Sequence, residues 1–185
     1  VGRPAVGIEV KIVDEHHQRV PGGETGEIAV RGKNTMMGYW NKPEQTAATL
    51  VDGWVLTGDA GYFDEDGYLY LVDRVKDMII TGGENVFSVE VENALTSHPG
   101  VQMAAVIGIP SEQWGESVHG IVIADPDNTP TEEELIAHCK ERIAGYKCPK
   151  GITFRSEEFP LSGAGKVLKT ELRKPFWERD EKGTS

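Results

Sequence analysis

Cysteine is scarce in this chain of 185 residues: only Cys139 and Cys148 are present. One falls in a predicted helix and the other in the loop behind it, and neither stands at metal-ligand spacing from a histidine. They read as reduced, ordinary thiols, and no metal site is expected. Also missing are any apolar run long enough to cross a bilayer and any charged-then-apolar leader, which makes the cytosol the expected compartment. Clustered cations are lacking too. The formal net charge of -11 argues against nucleic acid as a partner, because phosphate backbones are held by grouped Lys and Arg. What positive charge there is gathers late, with nine Lys or Arg against four Glu between Lys140 and Lys174. An anionic ligand would meet a favourable local field only there. There is no initiator Met, and Val1-Gly2-Arg3-Pro4 reads as the middle of something.

What is present is globular: 38% of the residues are apolar, and this length can bury one good core or two small ones. Ile8, Val10 and Ile12 alternate with Glu9 and Lys11 as in a half-buried strand. Pro21-Gly22-Gly23 then turns the chain toward a second strand around Ile28 and Val30. A short helix is expected from Pro43 to Leu50 and a turn at Thr57-Gly58-Asp59. A hairpin should close at Asp64-Glu65-Asp66-Gly67 onto a strand over Tyr68 to Val72. This first segment is mostly antiparallel β.

After Arg74 the pattern alternates between α and β. A short hairpin flanks Gly82-Gly83, and Ser88 is placed to cap a helix running to His98. Apolar runs at Val101 to Ile109 and Val118 to Ala124 read as strands. Thr131 and Glu134 form a capping box for a helix ending at Gly145, with Leu135, Cys139 and Ile143 on one face. A third strand follows at Ile152 to Phe154, then a terminal helical segment from Lys169 to Trp177 interrupted by Pro175. Asp180 to Ser185 reads as a frayed tail. The fold class expected is α+β: an antiparallel β subdomain over residues 1–73, a link at 74–76 and a small α/β domain over 77–185.

The chemistry concentrates between Thr57 and Ser88. Asp59 beside Gly58 presents a carboxylate suited to a vicinal diol such as a ribose, and glycine lets the sugar approach the backbone. Arg74 carries a guanidinium suited to ribose hydroxyls or phosphate. Gly82-Gly83 makes a turn without side chains, against which a long thin ligand could pass. A solvated ion pair of Arg74 with Asp73 or Asp77, and an ordinary hairpin turn at the glycines, are the plain alternatives.

Taken in order, TGD, GYFDEDGYLYLVDRVKDMIITGGENVFSVEVE and PLSGAGKVLKTELR resemble the C-terminal part of the AMP-forming acyl-CoA synthetases, within the adenylating superfamily. The likeness runs from about Val1 to Glu178. It implies that residues 1–73 end a large N-terminal domain whose phosphate loop and acyl pocket lie upstream, so the chain looks like a fragment, inactive alone. It also implies that residues 77–185 form a mobile lid. Lys166 matches the family's catalytic lysine, Asp59 and Arg74 its nucleotide contacts and Lys76 its hinge. Gly82, Gly83 and Glu84 match the loop lining the pantetheine passage. One departure is that Pro160 is followed by Leu161 and Ser162, where the family usually has Lys or Arg and then Thr.

The implied substrates are a carboxylic acid, fatty or similarly hydrophobic, with ATP and CoA. Mg is expected with ATP, its protein contacts lying upstream. The alternatives are an enzyme that loads a carrier protein and a non-catalytic module that binds nucleotide or a protein partner.

Overall fold

The computed structural model describes residues 2–183, with side chains as far as Glu178. The chain separates into two compact units, residues 1–76 and residues 77–185, each with its own sheet.

In the first unit, β1 (Ile8–Val13) and β2 (Gly26–Gly32) pair antiparallel, Val10 opposite Val30. The alternating pattern predicts this hairpin, and it buries Ile12, Val13, Ile28 and Ala29. The short helix α1 (Pro43–Thr49) starts on its proline, whose missing N–H is no loss in a first turn. β3 (Leu50–Val51) returns along the start of β4 (Trp54–Phe63), and β5 (Leu69–Arg74) pairs with its end. The turn expected at Thr57-Gly58-Asp59 is corrected here, because β4 runs straight through it. Gly58 takes φ +73° inside the strand, a conformation open to glycine, and the register shifts between Ala60 and Gly61. What looks like a turn in one dimension is a bulged strand held from both sides.

In the second unit, β6 (Ile79–Thr81) and β7 (Glu84–Val86) form a hairpin, and α2 (Ser88–Thr96) follows at once. β8 (Val101–Ser111) and β9 (Gly115–Ala124) make the long antiparallel pair at the centre. Next come α3 (Glu132–Lys140), then β10 (Gly151–Phe154), parallel to β9, and last α4 (Lys169–Gly183). The period of two along β8 and β9 sorts the core into two faces. Val106, Val118 and Val122 pack with Val91, Leu95, Leu135 and Cys139 from α2 and α3. Ala105, Ile107 and Ile121 pack with Phe159 and Leu172 on the α4 side. Each fully buried Leu or Ile in such a core contributes roughly 1.5–3 kcal/mol.

Three boundary expectations are corrected. Ser88 does not cap α2: Phe87 holds the N-cap position without a side-chain bond, and Ser88 is the helix's first residue, fully buried. The capping box of Thr131 and Glu134 is present, but α3 stops at Lys140 rather than at Gly145. α4 continues through Pro175 to Gly183, so the proline does not interrupt it, the helix passes Trp177, and Asp180 to Gly183 are helical. The remainder of the expected tail, residues 184–185, lies outside the described residues. Among the described residues no helix is long and apolar enough to cross a membrane.

Candidate functional site

In the first unit, strand pairing brings Asp59 and Arg74 together. They are opposite residues in the β4–β5 ladder, and Arg74 Nε lies 2.8 Å from Asp59 Oδ1. Arg74 Nε also donates to Gly58 O at 3.2 Å. A Cβ on Gly58 would stand 3.4 Å from Arg74 Nη2, so the guanidinium itself occupies the space over the glycine. Thr57 Oγ1 donates to Ile28 O, and Gly58 N donates to Glu27 Oε1 at 2.8 Å. Glu27 was not singled out from the sequence; its role depends on β2 lying beside β4.

The side chains of Asp59 and Arg74 are 36% and 48% exposed. Exposed pairs of this kind stabilise a fold by about 0–1 kcal/mol. Both groups can therefore change partners at little cost. Lys76, exposed, lies two residues on in a single 3-10 turn, Val75–Asp77.

In the second unit, the β6–β7 turn holds both glycines in the left-handed region, Gly82 at φ +59° and Gly83 at +85°. A Cβ on Gly82 would come within 2.8 Å of Trp114 Cε3, whereas one on Gly83 would meet nothing within 4 Å. Gly82 N donates to Trp114 O at 2.9 Å, and Thr81 pairs with Gly115. Trp114 thus backs the turn, while Gly83 and Glu84 are exposed. Glu116 braces the same hairpin by accepting from Ile80 N at 3.0 Å. Its carboxylate fills the space over Gly108, where a Cβ would lie 2.6 Å from Oε2.

Lys166 is exposed at the end of a tight turn. Ser162 N donates to Lys166 O at 2.7 Å, Gly165 N to Ser162 O at 2.8 Å and Lys166 N to Ser162 Oγ at 3.1 Å. Leu161 and Val167 pair beneath, and Gly165 takes φ +75°. The two glycines therefore serve a closed hairpin. Ser162, where the resemblance departs from its usual pattern, is the residue that closes it.

The basic segment is largely neutralised by its own unit. Lys147 pairs with Glu90, Arg155 with Glu157, Lys174 with Glu171 and Arg142 with Glu141. Lys169, missed from the sequence because it looks like any helix lysine, is 2.6 Å from Glu92. Lys140, Lys150 and Lys166 make no ion pair with any described residue. The favourable field for an anion thus narrows to a few lysines, Lys166 among them. Among the described residues no group of three or more His, Cys, Asp or Glu side chains could hold a metal ion. Burial pushes the Cys139 thiol up to about 11, so it is protonated and unreactive at neutral pH.

Residues 90–166 match the AMP-binding enzyme C-terminal domain, and residues 1–40 match the AMP-binding enzyme family. The chain belongs to the AMP-binding enzymes. The C-terminal match lies wholly in the second unit and ends on Lys166, while Asp59, Arg74 and Gly82 to Glu84 fall between the two matched stretches.

Among curated relatives of these AMP-binding enzymes, a fatty acid–acyl-carrier-protein ligase, ScoC, of Streptomyces coeruleorubidus is 44% identical over 176 residues, covering 95% of this chain and 34% of that protein. A feruloyl-CoA synthase of an Amycolatopsis species is 46% identical over 175 residues, covering 95% of this chain and 35% of that protein. Among solved structures, ATP-bound MatB of Rhodopseudomonas palustris aligns with a TM-score of 0.87 at 36% identity, over 95% of this chain and 35% of that one. The chain spans about a third of the length of these relatives.

Proposed function

We propose that this chain is the C-terminal portion of an ATP-dependent, AMP-forming acyl-CoA ligase. The enzyme activates a carboxylic acid, fatty or similarly hydrophobic, as its acyl-adenylate and transfers the acyl group to CoA. The observation that carries the reading is the Asp59–Arg74 pair. A carboxylate and a guanidinium 2.8 Å apart, half-exposed and cheap to separate, offer a diol acceptor and a donor for ribose or phosphate oxygens side by side.

In the first half-reaction the acid's carboxylate attacks the α-phosphate and pyrophosphate leaves, so two anions must be brought together. A cation near both lowers that barrier, and Lys166 Nζ is the group assigned to it, worth ~2.7–4 kcal/mol for one well-placed donor. In the second half-reaction a pantetheine thiol attacks the acyl carbon of the acyl-adenylate, forming the thioester as the acyl–phosphate bond breaks and AMP leaves with loss of the thiol proton. The Gly82-Gly83 turn, rigidly backed by Trp114 and bare on its Gly83 side, is the surface assigned to that arm, with Glu84 beside it. Because Lys166 and Gly83 lie on separate loops of one unit and serve successive steps, we assign Lys76 as the pivot between them.

The test is Lys166→Ala in the full-length enzyme. Pyrophosphate release from ATP and acid should fall about 10²- to 10³-fold, while thioester formation from supplied acyl-adenylate stays near wild type. An equal fall in both steps would contradict the assignment. The isolated chain should show no ligase activity. A second reading, favoured by the similarity to the acyl-carrier-protein ligase, makes the acceptor a carrier-protein thiol. Both acceptors present pantetheine, so thioester formation with free CoA against a phosphopantetheinylated carrier protein separates them.

A further inference from the structure

We infer that Lys169 is a positioning residue that anchors the loops of both half-reactions to one helix, an inference that rests on the roles assigned above to Lys166 and Gly83. Its ammonium lies 2.6 Å from Glu92 Oε1 and donates to Ser88 Oγ at 2.6 Å. The Lys169 and Glu92 side chains are only 11% and 19% exposed. Glu92 Oε1 also accepts from Val106 N at 2.9 Å, which fixes the carboxylate against β8.

The two ends of this contact are the roots of the two functional loops. Lys169 opens α4 directly behind the Lys166 hairpin, whose last turn is closed by Leu168 N donating to Pro160 O at 2.8 Å. Ser88 opens α2 directly behind the hairpin that carries Gly82 and Gly83. One ammonium with donors aimed at Ser88 and Glu92 therefore sets where both loops leave the body of the unit.

Stability alone does not account for the pair. Buried ion pairs are commonly no better than apolar groups of the same size, because desolvation offsets their attraction. What a hydrogen-bonded ammonium adds is direction, and direction matters where a misplacement of about 1 Å is expected to cost on the order of 10²-fold in rate.

The experiment uses the full-length enzyme, with dodecanoate and ferulate as trial acids and the matching synthetic acyl-adenylates with CoA for the second step. Lys169→Met should lower kcat of both half-reactions about ten-fold with the KM for ATP unchanged. Lys169→Arg, which keeps charge and donors, should retain most of both. In Lys169→Met/Glu92→Gln no charge is buried and Val106 N keeps its acceptor, so the melting temperature should return toward wild type while both rates stay low. The Arg and double variants carry the test if Lys169→Met does not fold.

Recovery of the rates together with the melting temperature would reduce the pair to a structural one and overturn the inference. So would wild-type rates in Lys169→Met, or a loss confined to one half-reaction. Lys166→Ala run in parallel keeps the two failures apart, since an unselective effect there sinks the functional assignment whatever Lys169 does.

Discussion

Gly82 and Gly83 are neighbours in the same left-handed conformation, yet they are glycine for different reasons. At Gly82 a methyl group would enter the Trp114 ring, at 2.8 Å; at Gly83 it would enter open space. Gly83→Ala should cost about 1–2 kcal/mol of stability from backbone strain. Gly82→Ala should cost a further ~1–3 kcal/mol from overpacking. Urea unfolding of the two variants measures the difference, and equal midpoints would mean that Trp114 yields freely. The double glycine was plain in the sequence, but the reason for its first member was not, because Trp114 is brought there by the Thr81–Gly115 pairing. Arg74 teaches the same lesson. Asp73 and Asp77 were its obvious partners in sequence; Asp73 Oδ1 does accept from Arg74 N at 2.7 Å, but the strand ladder brings Asp59 to the guanidinium.

Pro175 is the element-scale surprise. The sequence predicts an interruption at this residue, since proline removes an N–H donor and crowds the preceding turn. In α4, however, Leu172 on one side of it is buried against Ala105, Ile107 and Ile121, and Phe176 on the other packs against the same cluster. Tertiary packing of that face holds the helix together across the gap. Pro175→Ala should therefore restore the missing bond without disturbing the packed face and stabilise the chain by about 1–3 kcal/mol. A lowered melting temperature in that variant would show that the proline itself is needed for packing. Elements with their own local signals were legible: the β1–β2 hairpin from its alternation and α3 from its capping box. β4 was not, because Gly58 and Gly61 punctuate a strand that only its neighbours keep extended.

Across the whole chain, two histidines of the second unit, buried His119 and partly buried His138, give stability a pH dependence with a definite sign. Burial lowers the His119 imidazole below the ordinary value of 6.5, with Glu132 pulling the other way. Burial lowers His138 too, with help from Arg142 and His98. Below about 6.5 the unfolded chain binds more protons than the folded one, so stability is complete above that pH and is lost as pH falls through the folded values. Thermal unfolding between pH 8 and 5 should show the decline starting near 6.5. His119→Gln, which can still bond Thr153 in place of Nε2, should flatten it, leaving the share due to His138. An unchanged slope would exclude His119.

At this scale the charge pattern was only half legible. The concentration of cations after Lys140 is real, but partners such as Glu90 and Glu92, which neutralise two of them, lie some fifty and more residues away. The ladder that joins Asp59 to Arg74 also ends just short of the 3-10 turn, so both residues proposed to hold the nucleotide belong to the part of the chain that precedes Lys76. Under the proposed function, a half-finished product gripped there would not be handed over if the later segment turned about Lys76. Leakage of a reactive mixed anhydride between steps should accordingly track the grip at Asp59 rather than the freedom of the segment that follows.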